Sequence, residues 1–125
     1  MPQSDPSRRK ILVVDDEPDI VDIVKEHFEA IYDVHTALSG RRAIKLVRTE
    51  RPDLLLLDLR MPDLSGVDVL KTVRRMDPKL PVIIITANED ADVAAGAIAQ
   101  GAFSYTQKPF DFASLDHLVA IALGE

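Results

Sequence analysis

The stretch Leu54-Leu55-Leu56-Leu57-Asp58-Leu59-Arg60-Met61-Pro62 decides the fold. Four consecutive leucines leave no face for solvent, so as a strand the segment is buried on both sides, as in a parallel sheet covered by helices. The run breaks on a carboxylate, Asp58, and then on a proline. The same grammar recurs on either side: Ile11-Leu12-Val13-Val14 ends on Asp15-Asp16, and Val82-Ile83-Ile84-Ile85 ends on Thr86. A less apolar fourth segment, Phe103-Ser104-Tyr105-Thr106, is soon followed by Lys108-Pro109. If these strands are parallel, their carboxyl ends share the sheet edge where open α/β sheets bind ligands. Three carboxylates, a hydroxyl and an ammonium then meet in one crevice.

With 125 residues the chain makes one domain, large enough to bury one sizeable core. An apolar content of 46% fits a globular protein, and 29% charged residues of mixed sign do not describe a disordered tail. The net charge of -6 argues against direct nucleic-acid binding by this domain, which needs a basic surface to neutralise phosphates. Without cysteine there is neither a disulfide framework nor a thiolate metal site. Ser7-Arg8-Arg9-Lys10 superficially resembles a twin-arginine signal, yet only four apolar residues follow before Asp15-Asp16-Glu17. The expectation is a cytoplasmic protein with no membrane partner.

Around the organising stretch, strands and helices alternate. Residues 1–9 read as a flexible tail and 10–125 as the folded domain. Glu17-Pro18 opens a helix with Ile20, Ile23, Val24, Phe28 and Ile31 at helical spacing, proline sitting where a first turn tolerates it. A short second strand covers Asp33 to Ala37. Ser39 caps a helix that turns Ala43, Leu46 and Val47 inward, and Ser65 caps another carrying Val67, Leu70 and Val73. The helix from Asn88 to Gln100 has a thin stripe of Val93, Ala97 and Ile98 around an interior Gly96, which marks it as marginal and movable. Gly101 ends it in a left-handed conformation, and a last helix from about Asp111 presents Leu115, Leu118, Val119 and Ala122. Five strands alternating with five helices predict a doubly wound α/β sheet, parallel throughout, with right-handed crossovers.

Together, Ile11-Leu12-Val13-Val14-Asp15-Asp16-Glu17, Asp58-Leu59-Arg60-Met61-Pro62 with Gly66, Thr86-Ala87 and Lys108-Pro109-Phe110 resemble the receiver domain of two-component response regulators. The likeness runs from about Lys10 to Leu123. It implies a flavodoxin-like, CheY-like strand order 2-1-3-4-5 and a Mg²⁺-dependent phosphoacceptor. By that resemblance Asp58 takes the phosphoryl group of a sensor-kinase phosphohistidine, or of a phosphotransfer protein, and small acyl phosphates substitute for it. Asp16, Asp58 and the backbone carbonyl of Arg60 hold Mg²⁺, with Asp15 acting through water. Thr86 and Lys108 meet the phosphoryl oxygens, and Thr86 and Tyr105 form the switch that reaches the surface of the fourth helix, fifth strand and fifth helix. That surface would bind an output partner or domain, phosphorylation-linked homodimerisation being one such outcome. The resemblance also implies a cis Lys108-Pro109 bond, and places Arg60 and Asn88 where side chains overhang the site and tune phosphoryl lifetime.

The residues support this chemistry on their own terms. Two unit charges ~4 Å apart repel by about 4 kcal/mol at an effective dielectric of 20, so crowding Asp15, Asp16 and Asp58 calls for a cation. Oxygen ligands with no histidine or cysteine nearby suit hard Mg²⁺. Plainer readings stand beside each residue. Asp15 and Asp16 could simply favour a helix amino end, Thr86 could pack a strand end, Lys108 could be a solvated charge and Tyr105 a half-buried strand aromatic. His27, His35 and His117 lack ligand spacing. Two other functions compete: a haloacid-dehalogenase-like phosphohydrolase, which wants an aspartate where Arg60 stands and a cap domain, and a receiver-like interaction protein that takes no phosphate.

Overall fold

In the computed structural model, which describes residues 7–87 and 90–125, ten elements alternate strictly. They are β1 (Lys10–Val14), α1 (Pro18–Phe28), β2 (Asp33–Ala37), α2 (Gly40–Glu50), β3 (Leu54–Asp58), α3 (Gly66–Met76), β4 (Val82–Thr86), α4 (Ala91–Ala99), β5 (Ser104–Gln107) and α5 (Phe112–Ala122). The strands form one parallel sheet in the order β2-β1-β3-β4-β5. The leucine run is therefore the spine of the sheet, and all five residues of β3 are buried.

Strand side chains alternate between faces, and the two cores follow that parity. Leu12, Val14, Leu55, Leu57, Val82 and Ile84 pack with Ala43, Val47, Val69, Leu70, Val73, Ala94 and Ala97, from α2, α3 and α4. Ile11, Val13, Leu54, Leu56, Ile83 and Ile85 pack on the other face with Val24, Phe28, Leu115 and Val119, from α1 and α5. Each fully buried aliphatic side chain contributes about 1.5–3 kcal/mol, so a polar residue within β1, β3 or β4 would be costly. Polar side chains are tolerated only where those strands end.

The helix starts follow their capping chemistry. Ser39 and Ser65 accept the backbone N–H of Arg42 and Asp68, and Asp111 accepts that of Ser114. Gly101 has φ 104°, the left-handed stop that ends α4. The helix faces differ from the sequence pattern in two places. On α1 the buried stripe is Val21, Val24 and Phe28, while Ile23 and Ile31 are exposed. On α4 the inner face is Ala94 and Ala97, and Val93 and Ile98 point outward. The fifth strand begins one residue later than the pattern indicated, leaving Phe103 exposed ahead of it. Residues 1–6 and Asn88, with its expected overhang, lie outside the described residues. Arg8 and Arg9 are tied down: Arg8 donates to the carbonyls of Glu29 and Ala30, and Arg9 to that of Leu123.

Candidate functional site

The carboxyl ends of β1, β3 and β4 deliver three buried polar side chains into an otherwise apolar core: Asp15, Asp58 and Thr86. Asp58 is the last residue of β3 and only 5% exposed. Lys108 arrives from the end of β5 through a cis Lys108–Pro109 bond, its backbone N–H bonded to the Thr86 carbonyl at 2.8 Å. Its ammonium lies 2.8 Å from Asp15 Oδ2, 3.8 Å from Asp58 Oδ2 and 3.3 Å from Glu17 Oε1. Residues as far apart in the chain as Asp15 and Lys108 thus share one crevice.

Electrostatics within it are strained in a specific way. Burial, the Asp15 charge and, more weakly, the Asp16 charge push the Asp58 carboxyl up to about 7, against the opposing pull of Lys108 and the Arg60 backbone N–H. Burial alone would lower the Lys108 ammonium, but Asp15, Asp58 and Glu17 outweigh it and hold the group above its ordinary value. Asp15 is fully buried, and its two oxygens have different tasks. Oδ1 accepts the Glu17 backbone N–H at 3.0 Å, which honours the helix-end reading. Oδ2 faces the Lys108 ammonium at 2.8 Å.

Asp15, Asp16 and Glu17 each present an oxygen within 4.8 Å of the others. This is an all-oxygen donor set, whose chemistry fits a hard divalent cation. The grouping contains Asp15 and Asp16 as the sequence indicated, adds Glu17, and does not include the Asp58 side chain. Glu17 was visible in the sequence only as a helix opener; its place beside Lys108 depends on the fold. The Thr86 hydroxyl, fully buried, donates to the Ala87 carbonyl at 3.1 Å. Tyr105 lies on β5 opposite Ile84, more than a third exposed. His27 pairs with Asp116 and stacks on Phe112, and His35 lies beside Asp33 and Glu50, so neither histidine enters the site.

The loop after Asp58 is pinned at several points. Gly66 N–H donates to Leu59 O at 2.8 Å, and a Cβ on Gly66 would come within 2.5 Å of Leu59 Cα and 2.6 Å of the Asp58 carbonyl oxygen. Only glycine permits that approach. Asp63 accepts the N–H groups of Arg41 and Gly40 at the start of α2, and those two bonds hold its carboxyl below the usual range. Arg60 reaches the opposite way, donating from Nε and Nη2 to the two oxygens of Asp90 at 2.7 and 2.8 Å. Nothing in the sequence links Arg60 to Asp90, thirty residues on.

Known proteins with this arrangement are numerous. The family model for the response regulator receiver domain matches residues 11–120. The chain is 40% identical over 118 residues to the response regulator PilR of Pseudomonas aeruginosa, covering 94% of this chain and 26% of that protein. It is 37% identical over 115 residues to AtoC of Escherichia coli, covering 91% of this chain and 25% of that one. The chain therefore spans about a quarter of the length of these curated relatives. A response regulator receiver domain from Clostridium thermocellum superposes with a TM-score of 0.90 at 34% identity, covering 93% of this chain and 94% of the other. Among the described residues no helix is long and apolar enough to cross a membrane. With sheet order, family match and structural likeness in agreement, the chain belongs to the response regulator receiver domains of two-component systems, with their CheY-like fold.

Proposed function

We propose that this receiver is a Mg²⁺-dependent phosphoacceptor whose nucleophile is Asp58, and whose phosphorylated state changes the surface formed by α4, β5 and α5. One observation carries the reading: a buried carboxylate at the end of the central strand shares an ammonium with Asp15, at 3.8 and 2.8 Å, next to the clustered carboxylates of Asp15, Asp16 and Glu17. A lone buried Asp58 would be a liability; a phosphoryl acceptor with charge relief to hand is a device.

In the proposed reaction an Asp58 oxygen attacks phosphorus of a phosphohistidine on a sensor kinase or phosphotransfer protein. The P–N bond breaks and its electron pair returns to the imidazole, leaving an acyl phosphate on Asp58. Asp16 and Asp58, with the Arg60 carbonyl, are the proposed direct ligands of Mg²⁺, Asp15 acting through water and Glu17 extending the acidic rim. Bound there, Mg²⁺ supplies charge neutralisation and alignment of nucleophile and phosphoryl oxygens. Lys108 leaves its carboxylate partners for a phosphoryl oxygen, and Thr86 turns its hydroxyl from the Ala87 carbonyl toward another. Water later attacks phosphorus, the P–O bond to Asp58 breaks, and inorganic phosphate leaves.

Rotation of Thr86 vacates space beside β5, where Tyr105 changes rotamer and couples the site to the α4, β5 and α5 surface. Val93, Ile98, Phe103, Tyr105 and Ile121 expose apolar area on or beside these elements, which supports an output partner or domain, or a second copy, binding there. We place the module in the cytoplasm, where sensor kinases hold their phosphohistidine. Incubation with acetyl phosphate and Mg²⁺ followed by intact-mass analysis tests the reading. One added phosphoryl group, absent in Asp58→Asn, is expected; sustained release of phosphate from phosphomonoesters without a labelled chain would instead indicate a hydrolase.

A further inference from the structure

The contact between Arg60 and Asp90 joins the loop after Asp58 to the amino end of α4. Asp90 is the N-cap residue of α4, yet its carboxylate makes no capping hydrogen bond. Both of its oxygens are taken by the Arg60 guanidinium, at 2.7 and 2.8 Å. The fork geometry is the strong form of an arginine–carboxylate contact, and it is unevenly set: the Asp90 side chain is 13% exposed and that of Arg60 65%. The Asp90 carboxylate is largely enclosed, whereas the Arg60 side chain is mostly exposed.

What the contact joins matters as much as its strength. Arg60 sits two residues past Asp58, and its own backbone N–H pulls the Asp58 carboxyl down. Its loop is fixed to α2 through Asp63 and to α3 through Gly66. On the other side, among the described residues, α4 buries Ala94 and Ala97 against the sheet, a thin hold for a nine-residue helix. The Arg60–Asp90 fork thus ties a rigid loop at the phosphoacceptor to the first turn of a weakly held helix.

We propose that this fork is a charge-exchange latch: phosphorylation of Asp58 draws the Arg60 guanidinium onto the phosphoryl oxygens, and the released Asp90 carboxylate turns to cap α4. A phosphoryl dianion outcompetes a single carboxylate for a guanidinium, because it carries about −1.5 to −2 charge and three strong acceptor oxygens against one charge and two oxygens. The freed Asp90 does not lose its partner without replacement, since an aspartate at this position takes the N–H groups of the first turn. The exchange re-sets the amino end of α4 by a route separate from Thr86 and Tyr105. Arg60 is in this account a positioning residue for α4 and a competitor-controlled ligand of the phosphoryl group. The inference rests on the phosphoacceptor reading above.

A double-mutant cycle on affinity for beryllofluoride, titrated with Mg²⁺ present and followed by amide NMR, tests it in wild type, Arg60→Ala, Asp90→Ala and the double variant. Because Asp90 competes for Arg60, Asp90→Ala should tighten beryllofluoride binding by about three- to tenfold when Arg60 is present and leave it unchanged when residue 60 is alanine. Asp90→Asn, which keeps a capping side chain, should act in the same direction. Equal effects of Asp90→Ala in both backgrounds, or weaker binding in either Asp90 variant, would overturn the latch while leaving the phosphoacceptor intact. Failure of the wild-type chain to bind beryllofluoride at all would overturn the phosphoacceptor reading and the latch with it.

Discussion

Asp58 carries its function and its cost in one side chain. Its carboxyl is raised to about 7 by burial and by Asp15, so the folded chain holds the proton more tightly than the unfolded chain, whose aspartate titrates near ~4. Stability is therefore penalised as pH rises from about 4, and the full penalty is present above about 7. Asp58→Asn removes it: denaturant melts in chelator should show the variant more stable by about 1–2 kcal/mol at pH 8, a gain that shrinks to nothing near pH 4. A pH-independent difference would show that the Asp58 charge is not the cause. In the proposed mechanism Arg60 is not required for phosphoryl uptake, and it acts on the group once that group is on Asp58. Arg60→Ala should change the rate at which acyl phosphate is lost, by about two- to tenfold, while the chain still takes up one phosphoryl group. The residue types were readable from sequence because a carboxylate or lysine at the exit of an apolar strand has few other uses. Glu17 and Asp90 were not, since their partners Lys108 and Arg60 are supplied only by the folded chain.

Elements explain why the site is rigid on one side and loose on the other. The turn after β3 is locked by Gly66, where an added Cβ would meet the backbone of Leu59 and Asp58 at 2.5–2.6 Å. Gly66→Ala should cost about 2–4 kcal/mol in a chemical melt, far beyond a surface substitution. Gly96 in α4 is the opposite case, since an added Cβ there would meet nothing within 4 Å. Gly96→Ala should stabilise the chain by about 0.5–1 kcal/mol and slow amide exchange along α4. In the wild type, exchange across Asp92–Gly101 should differ with and without beryllofluoride; equal protection in both states would remove α4 as the moving element. The strands were legible because continuous apolar runs have one interpretation in a chain this short. The helix faces were not, because α1 carries two overlapping apolar stripes. Val21, Val24 and Phe28 reach the core, whereas Ile23 lines a groove with Ile20, Pro109 and Phe110 beside Lys108. On α4, alanines reach the core because they let the helix lie close, leaving Val93 and Ile98 outside.

At the scale of the molecule, topology does what no local motif can. A parallel sheet in the order β2-β1-β3-β4-β5 puts the exits of β1, β3, β4 and β5 along one edge, so Asp15, Asp58, Thr86 and Lys108 converge. The alternation of strand and helix was plain in the sequence, but the order came through likeness to a family, because spacing alone does not choose among doubly wound sheets. The proposed function requires Asp58 to be the residue that carries phosphate. Borohydride reduction of the chain after acetyl phosphate and Mg²⁺ treatment, followed by peptide mass mapping, reads this directly, since an acyl phosphate is reduced to a homoserine at the modified aspartate. The conversion is predicted at position 58 alone; conversion at Asp15 or Asp16, or at no aspartate in a chain that is nonetheless folded, would contradict it.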